Sequence, residues 1–197
     1  MLTKLPVKNI FDIEVTEINK YRYKLKKFQR NVLLIVNIAT LCGLSKKSLS
    51  ELSNILIKFS SRGLKILLFP CDHLLSKKCK SVKEFKNYVA EFSDEFVLMD
   101  EVQTNGMGIH PLFEYLLSKD NEFISKDIKL NFTYFLVNRE GEFVKKYLPT
   151  DCLLDTDSEL LKCIGEVPED SRKVLSPKMN RLRNNFDSNT VEEFSYN

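Results

Sequence analysis

The run Val32–Ala39 (VLLIVNIA) constrains this chain more than any other feature. It is apolar apart from Asn37 and rich in β-branched residues, the pattern of a strand buried on both faces of a parallel sheet. Thr40-Leu41-Cys42-Gly43-Leu44 ends it, and Ser45–Arg62 then reads as an amphipathic helix. Leu49, Leu52, Leu56 and Phe59 recur at i, i+3, i+7 and i+10 and mark its apolar face. Gly63 suits a left-handed helix cap, and Leu64–Phe69 (LKILLF) is a second buried strand stopped by Pro70. Strand, helix and strand make a βαβ unit, for which a right-handed crossover is expected.

The remaining segments extend that unit at both ends. Asn9–Val15 and Tyr21–Leu25 alternate around Thr16–Lys20 and predict an N-terminal hairpin. Ser81 and Glu84 stand at capping-box spacing before a helix running to about Phe92. A short strand is expected near Phe96–Met99, and a helix over Gly108–Ser118. Phe132–Val137 and Glu142–Tyr147 flank Asn138-Arg139-Glu140-Gly141 and predict an antiparallel hairpin. A last helix over Asp155–Ile164 would take Asp155 or Thr156 as its cap. The sum is an α/β chain with a central mixed sheet flanked by helices, the layout of a thioredoxin-like fold. Residues 1–168 read as one domain and 169–197 as a polar tail. Its stretch Arg172–Arg183 carries Arg172, Lys173, Lys178, Arg181 and Arg183 and no acid, read as solvated tail rather than docking patch.

Composition narrows the function classes. Among 197 residues, 30 Lys and Arg against 27 Asp and Glu leave a net charge of +3, too small to argue for nucleic acid as a partner. No apolar run approaches the ~20 residues of a membrane helix. The first eight residues lack the apolar stretch of a signal peptide, so the expected location is cytoplasmic. The five cysteines (Cys42, Cys71, Cys79, Cys152 and Cys163) are widely spaced without C-x-x-C, and His73 and His110 are the two histidines. That set argues against a zinc site and for free thiols. No cofactor and no metal are expected.

Of these thiols, Cys42 has the most reactive setting. It sits where a buried strand ends and a helix begins. First-turn N–H groups and the positive end of the helix dipole favour an anion there, which lowers a thiol's pKa. Gly43 leaves room beside the sulfur, and Lys46 and Lys47 add positive charge. Packing under the helix is the alternative role. The end of a central strand in an open α/β sheet, where such folds place their sites, favours reactivity. A thiolate so placed can attack a peroxide O–O bond, giving a sulfenic acid and water or an alcohol.

Four colinear blocks, VLLIVNIATLCGLSKKSLSEL (32–52), GLKILLFPCDH (63–73), NGMGIHPLFEYLL (105–117) and IKLNFTYFLVNREGEFVKKYLPT (128–150), resemble the glutathione peroxidase family over about Asn9–Ile164. The resemblance implies a thioredoxin-fold peroxidase that reduces hydrogen peroxide and organic or lipid hydroperoxides with glutathione or thioredoxin, an antioxidant activity. It places the peroxidatic residue on Cys42, the glutamine of the catalytic set on His73 and the catalytic asparagine on Asn131, while Leu130 stands where the family has tryptophan. Leu130 cannot donate a hydrogen bond, whereas His73 can donate and can also exchange a proton near neutral pH.

The resemblance also bears on the other cysteines and on assembly. The family's resolving-cysteine position falls on Val89, leaving Cys79, ten residues earlier, as a candidate resolving thiol; otherwise an external thiol must reduce Cys42. Cys71 is read as structural, Cys152 and Cys163 as packing residues, and His110 as part of the His110-Pro111 helix start. The short span from His110 to Asn131 (131 − 110 = 21) resembles the compact, monomeric members, whose open site admits bulky lipid hydroperoxides. The departures at Leu130 and His73 also leave open a weakened homologue acting as a redox sensor or interaction module, and an adaptor without redox chemistry.

Overall fold

In the computed structural model, residues 9–38, 45–71, 81–120, 127–128, 131–151, 153 and 155–165 are described. The predicted βαβ unit is its centre. Strand β3 (Val32–Ile38) leads to helix α1 (Ser45–Phe59), and β4 (Leu64–Pro70) returns parallel to β3 in register from Val32↔Leu64 to Ile38↔Pro70. The helix tightens into a 3-10 turn at Ser60–Arg62 before Gly63, whose φ of 85° reverses the chain.

Around this pair the sheet has the order β5-β4-β3-β6-β7. β5 (Val97–Leu98) is parallel to β4, and β6 (Tyr134–Val137) is antiparallel to β3. β7 (Phe143–Tyr147) closes a hairpin with β6 through Asn138–Gly141. The sheet is therefore mixed, and the fold is the thioredoxin-like one the pattern predicts.

Alternation along β3 divides the core into two layers. Val32, Leu34, Val36 and Ile38 face α1, α2 (Val82–Ala90) and α4 (Ser158–Ile164), meeting Leu52, Phe59, Phe85 and Leu160. Leu33 and Ile35 face α3 (Pro111–Lys119) and the N-terminal segment, meeting Phe113, Leu116, Ile10 and Leu25. All seven residues of β3 are buried. Each of its aliphatic side chains is worth ~1.5–3 kcal/mol by transfer from water, so this strand anchors both layers.

Several element ends differ from the sequence reading. The predicted first strand is split. Asn9 Oδ1 accepts from the Phe11 N–H and starts a 3-10 turn at Ile10–Asp12, and only Glu14–Thr16 (β1) pairs with Arg22–Lys24 (β2). α3 begins at Pro111 rather than Gly108 because His110 Nδ1 accepts from the Leu112 N–H and so caps the helix, with Pro111 as first residue. That is the structural role expected of His110. α4 is capped by Asp157, neither Asp155 nor Thr156, because its carboxylate accepts from both the Leu160 N–H and the Tyr147 hydroxyl. β6 begins at Tyr134, two residues later than predicted, because Phe132 adopts a left-handed φ of 62°. Ser81 caps α2 as predicted, accepting from the Glu84 N–H. The proposed tail, 169–197, lies outside the described residues.

Candidate active site

Three chain segments leave the sheet at one edge. β3 ends at Ile38 and β4 ends beside it at Pro70, since the two are register partners. β6 runs antiparallel to β3, with Tyr134 opposite Val36, so the residues just before β6 return to that same edge. The Phe132 N–H donates to the Asn37 carbonyl at 2.8 Å, which fixes the approach. Cys71 continues β4 by one residue, its N–H donating to the Ile38 carbonyl at 3.3 Å, and it bridges to Val102 on its other side.

Each candidate residue reads off this edge by chain position. Cys42 follows Ile38 by four residues and precedes Ser45, the start of α1, by three, and it lies outside the described residues. His73 follows Cys71 by two, and Cys79 precedes the α2 cap Ser81 by two; both are also outside them, as are Leu130 and Cys152. Asn131 is described: half-buried, one residue before the pinned Phe132. The structure thus places one member of the predicted set directly.

The electrostatic setting of α1 is described from its first turn onward. That turn carries no acid, and Lys46 and Lys47 are exposed there. A 15-residue helix presents its positive dipole end and first-turn N–H groups toward the incoming chain. Nothing in that turn offsets an anion.

The described cysteines have other surroundings. Cys71 is completely buried, with its Sγ 3.9 Å from the Phe69 carbonyl oxygen, and fits the structural role expected of it. Cys163 is half-buried in α4; burial, aided by Glu159 and Glu140, pushes its thiol pKa above the ordinary value and disfavours the thiolate. Val89, at the expected resolving position, is buried in the α1-facing layer. No group of three or more His, Cys, Asp or Glu suited to a metal occurs among the described residues.

Two asparagines not singled out by motif reasoning shape the edge. Asn37, 2% exposed, adds a second bond to the one from its carbonyl: its Oδ1 accepts from the Thr133 N–H at 3.0 Å. Asn105 pairs reciprocally with the Ile128 backbone, Nδ2 donating to the carbonyl at 2.8 Å and Oδ1 accepting from the N–H at 2.7 Å. The signal for Asn37 was in view as the single polar residue of an eight-residue apolar run. A buried carboxamide in a central strand must be hydrogen-bonded.

A glutathione peroxidase family model matches residues 10–117, more than half of the chain. The chain belongs to the glutathione peroxidase family. It is similar to phospholipid hydroperoxide glutathione peroxidase 1, chloroplastic, of Arabidopsis thaliana, with 34% identity over 159 residues, covering 80% of this chain and 67% of that one. A Nicotiana sylvestris protein named "Probable phospholipid hydroperoxide glutathione peroxidase" shares 34% identity over 158 residues, covering 80% and 94%. Among solved structures, T. cruzi GPX1 superposes with a TM-score of 0.66 at 28% identity, covering 80% of this chain and 97% of that one. Membership makes the chain a thiol-dependent peroxidase of the oxidoreductase class, acting on hydroperoxides. No described helix is long and apolar enough to cross a membrane.

Proposed function

We propose that Cys42 is the peroxidatic residue of a cysteine-type glutathione peroxidase. The observation that carries this reading is the shared sheet edge. The ends of β3 and β4 and the approach to β6 meet there, each adjoining in sequence one of Cys42, His73 and Asn131. The Cys42 thiolate attacks one peroxide oxygen; the O–O bond breaks with its electron pair leaving on the other oxygen. Sulfur is oxidised to sulfenic acid, and the departing alkoxide or hydroxide takes a proton to become alcohol or water. A reductant thiol then condenses with the sulfenic acid, releasing water and forming a mixed disulfide, which a second thiol reduces back to Cys42.

In this scheme Asn131 orients the peroxide or donates to its oxygens, and His73 supplies or relays the leaving-group proton from the glutamine position. Leu130 offers no donor where the family has tryptophan. A lost preorganised donor costs about 10²–10³ in rate, so turnover is slower than in members with the full set. Cys79 is the candidate resolving thiol; without it glutathione or thioredoxin reduces Cys42 directly. The substrates are hydrogen peroxide and organic or lipid hydroperoxides, the last in keeping with the names of the relatives. The protein works as a cytoplasmic monomer, in an antioxidant role, with no cofactor beyond its thiol co-substrate. The substitutions at positions 73 and 130 favour, as a second reading, a weakened homologue that senses peroxide rather than clearing it.

The test is single-turnover oxidation of the pre-reduced protein by hydrogen peroxide and by a lipid hydroperoxide, with Cys42→Ser beside it. Oxidation at least about 10²-fold faster than free cysteine, abolished by Cys42→Ser, is expected of a thiolate so activated. A rate equal to that of free cysteine would overturn the enzymatic reading.

A further inference from the structure

Asn37 interrupts a strand otherwise apolar on both faces and occupies the α3-facing side, in line with Leu33 and Ile35. A carboxamide buried there loses water on every side, so an aliphatic residue would serve packing better. What it provides instead is a side-chain hold on the start of β6: its Oδ1 takes the Thr133 N–H at 3.0 Å, beside the bond at 2.8 Å by which the Asn37 backbone carbonyl, which any residue would supply, takes the Phe132 N–H.

In an extended strand, successive N–H groups point to opposite sides. Two consecutive ones can turn toward a single residue here because Phe132 has a φ of 62°. That conformation is costly for a bulky side chain and persists only where the surroundings over-determine it. Those surroundings are the Asn37 grip and the complete burial of the Phe132 ring among the α1-facing core. Upstream, Asn105 holds the Ile128 backbone from the loop before α3. Asn131 stands between these two attachments, so its backbone direction is set from both sides.

We infer that Asn37 is a positioning residue of the peroxidase reaction: by holding the Thr133 N–H with its carboxamide, next to the Phe132 N–H on its backbone carbonyl, it fixes Asn131 relative to the end of β3, from which the chain continues to Cys42. This rests on the reading of Asn131 and Cys42 given above. A purely structural Asn37 would stabilise the fold and leave the chemistry alone. A positioning Asn37 acts on the rate by way of Asn131.

A double-mutant cycle separates the two. Asn37→Ala, Asn131→Ala and the double variant are prepared in the full chain, with Asn37→Ser carried in parallel as the milder change should Asn37→Ala fail to fold. Two quantities are read for each: the second-order rate constant for oxidation of the pre-reduced protein by hydrogen peroxide, and the thermal midpoint. Asn131→Ala is expected to slow oxidation about 10²-fold, as for loss of a preorganised donor. Asn37→Ala is expected to slow it about tenfold, since misplacing a catalytic group costs less than deleting it. In the Asn131→Ala background the Asn37 substitution should change the rate by less than about twofold while still lowering the midpoint.

Equal slowing by the Asn37 substitution in both backgrounds would overturn the positioning role, as would an unchanged rate for Asn37→Ala in the wild-type background. A wild-type rate for Asn131→Ala alone would overturn the catalytic reading of Asn131, and the positioning role with it. That outcome is recognised in a different variant from the other two.

Discussion

Arg139→Met separates what holds this fold from what the site does. Arg139 lies on the β6–β7 turn, at the sheet edge opposite the candidate site, and its guanidinium closes three connections at once. It donates to the Arg30 carbonyl at 2.8 Å, the Arg62 carbonyl at 2.7 Å and the Ile164 carbonyl at 2.9 Å. These residues end the segment before β3, the turn before β4 and helix α4. Gly63 leaves space for the guanidinium, since a Cβ there would fall 2.8 Å from its Nη1. A hydrogen bond to a charged group is worth ~1.5–3 kcal/mol when buried. The Arg62 and Ile164 carbonyls are partly buried and the Arg30 one exposed, so water recovers roughly half of that total. Arg139→Met keeps most of the stem and removes the donors, and it should cost about 2–4.5 kcal/mol. For a chain of this size that lowers the thermal midpoint by about 4–18 °C. The assays are urea or thermal unfolding and, at 25 °C, the rate of peroxide oxidation. That rate should stay within about twofold of wild type, because the perturbation sits at the far edge. A stability loss under about 0.5 kcal/mol, the range of ordinary surface changes, would refute the account of Arg139.

Asp157→Ala should cost about 1–2 kcal/mol near pH 7, because the carboxylate both caps α4 and accepts from Tyr147. Burial works to raise the Asp157 pKa, but the Leu160 N–H, the Tyr147 hydroxyl and Lys145 together hold it below the ordinary carboxylate value. The carboxylate's contribution is thus complete above the unfolded value near ~4 and lost as pH falls through the folded one. The gap between wild type and variant, followed by urea unfolding, should narrow below about pH 4; a gap that widens in acid would contradict the assignment. Asn105→Ala removes both partners of the Ile128 backbone and should lower stability by about 1–3 kcal/mol, measured by thermal unfolding; an unchanged midpoint would refute the role of Asn105.

The central unit was legible because its residues serve one purpose. Apart from Asn37 and the half-buried Lys65, Val32–Ile38 and Leu64–Pro70 are apolar and buried, so burial dictates most of their composition and the pattern names the strands. The start of α2 was legible because Ser81 caps it within a local capping box, whereas α3, expected from Gly108, begins only after the His110 cap. Misplaced ends have two causes, a hydrogen bond between residues distant in sequence or a local turn that competes with the strand. Asp157 displaces Thr156 as cap by also reaching Tyr147, and the Asn9 cap turns Ile10–Asp12 out of β1. The late start of β6 depends on Asn37, 96 residues away from Thr133, which no local pattern around Phe132 reports. Family motifs named Cys42, His73 and Asn131, whereas Asn37 and Asn105 hold the backbone of residues distant in sequence. Their contribution becomes visible when those backbones are placed beside them.

The most direct measurement is to locate the oxygen. The pre-reduced protein is treated with one equivalent of lipid hydroperoxide in the presence of a sulfenic-acid trap, digested, and the five cysteines are mapped by mass spectrometry. The trap is expected on Cys42, with Cys71 unmodified because it is completely buried and Cys163 unmodified because burial disfavours its thiolate. Oxidation spread evenly over the cysteines, or absent from Cys42, would contradict it.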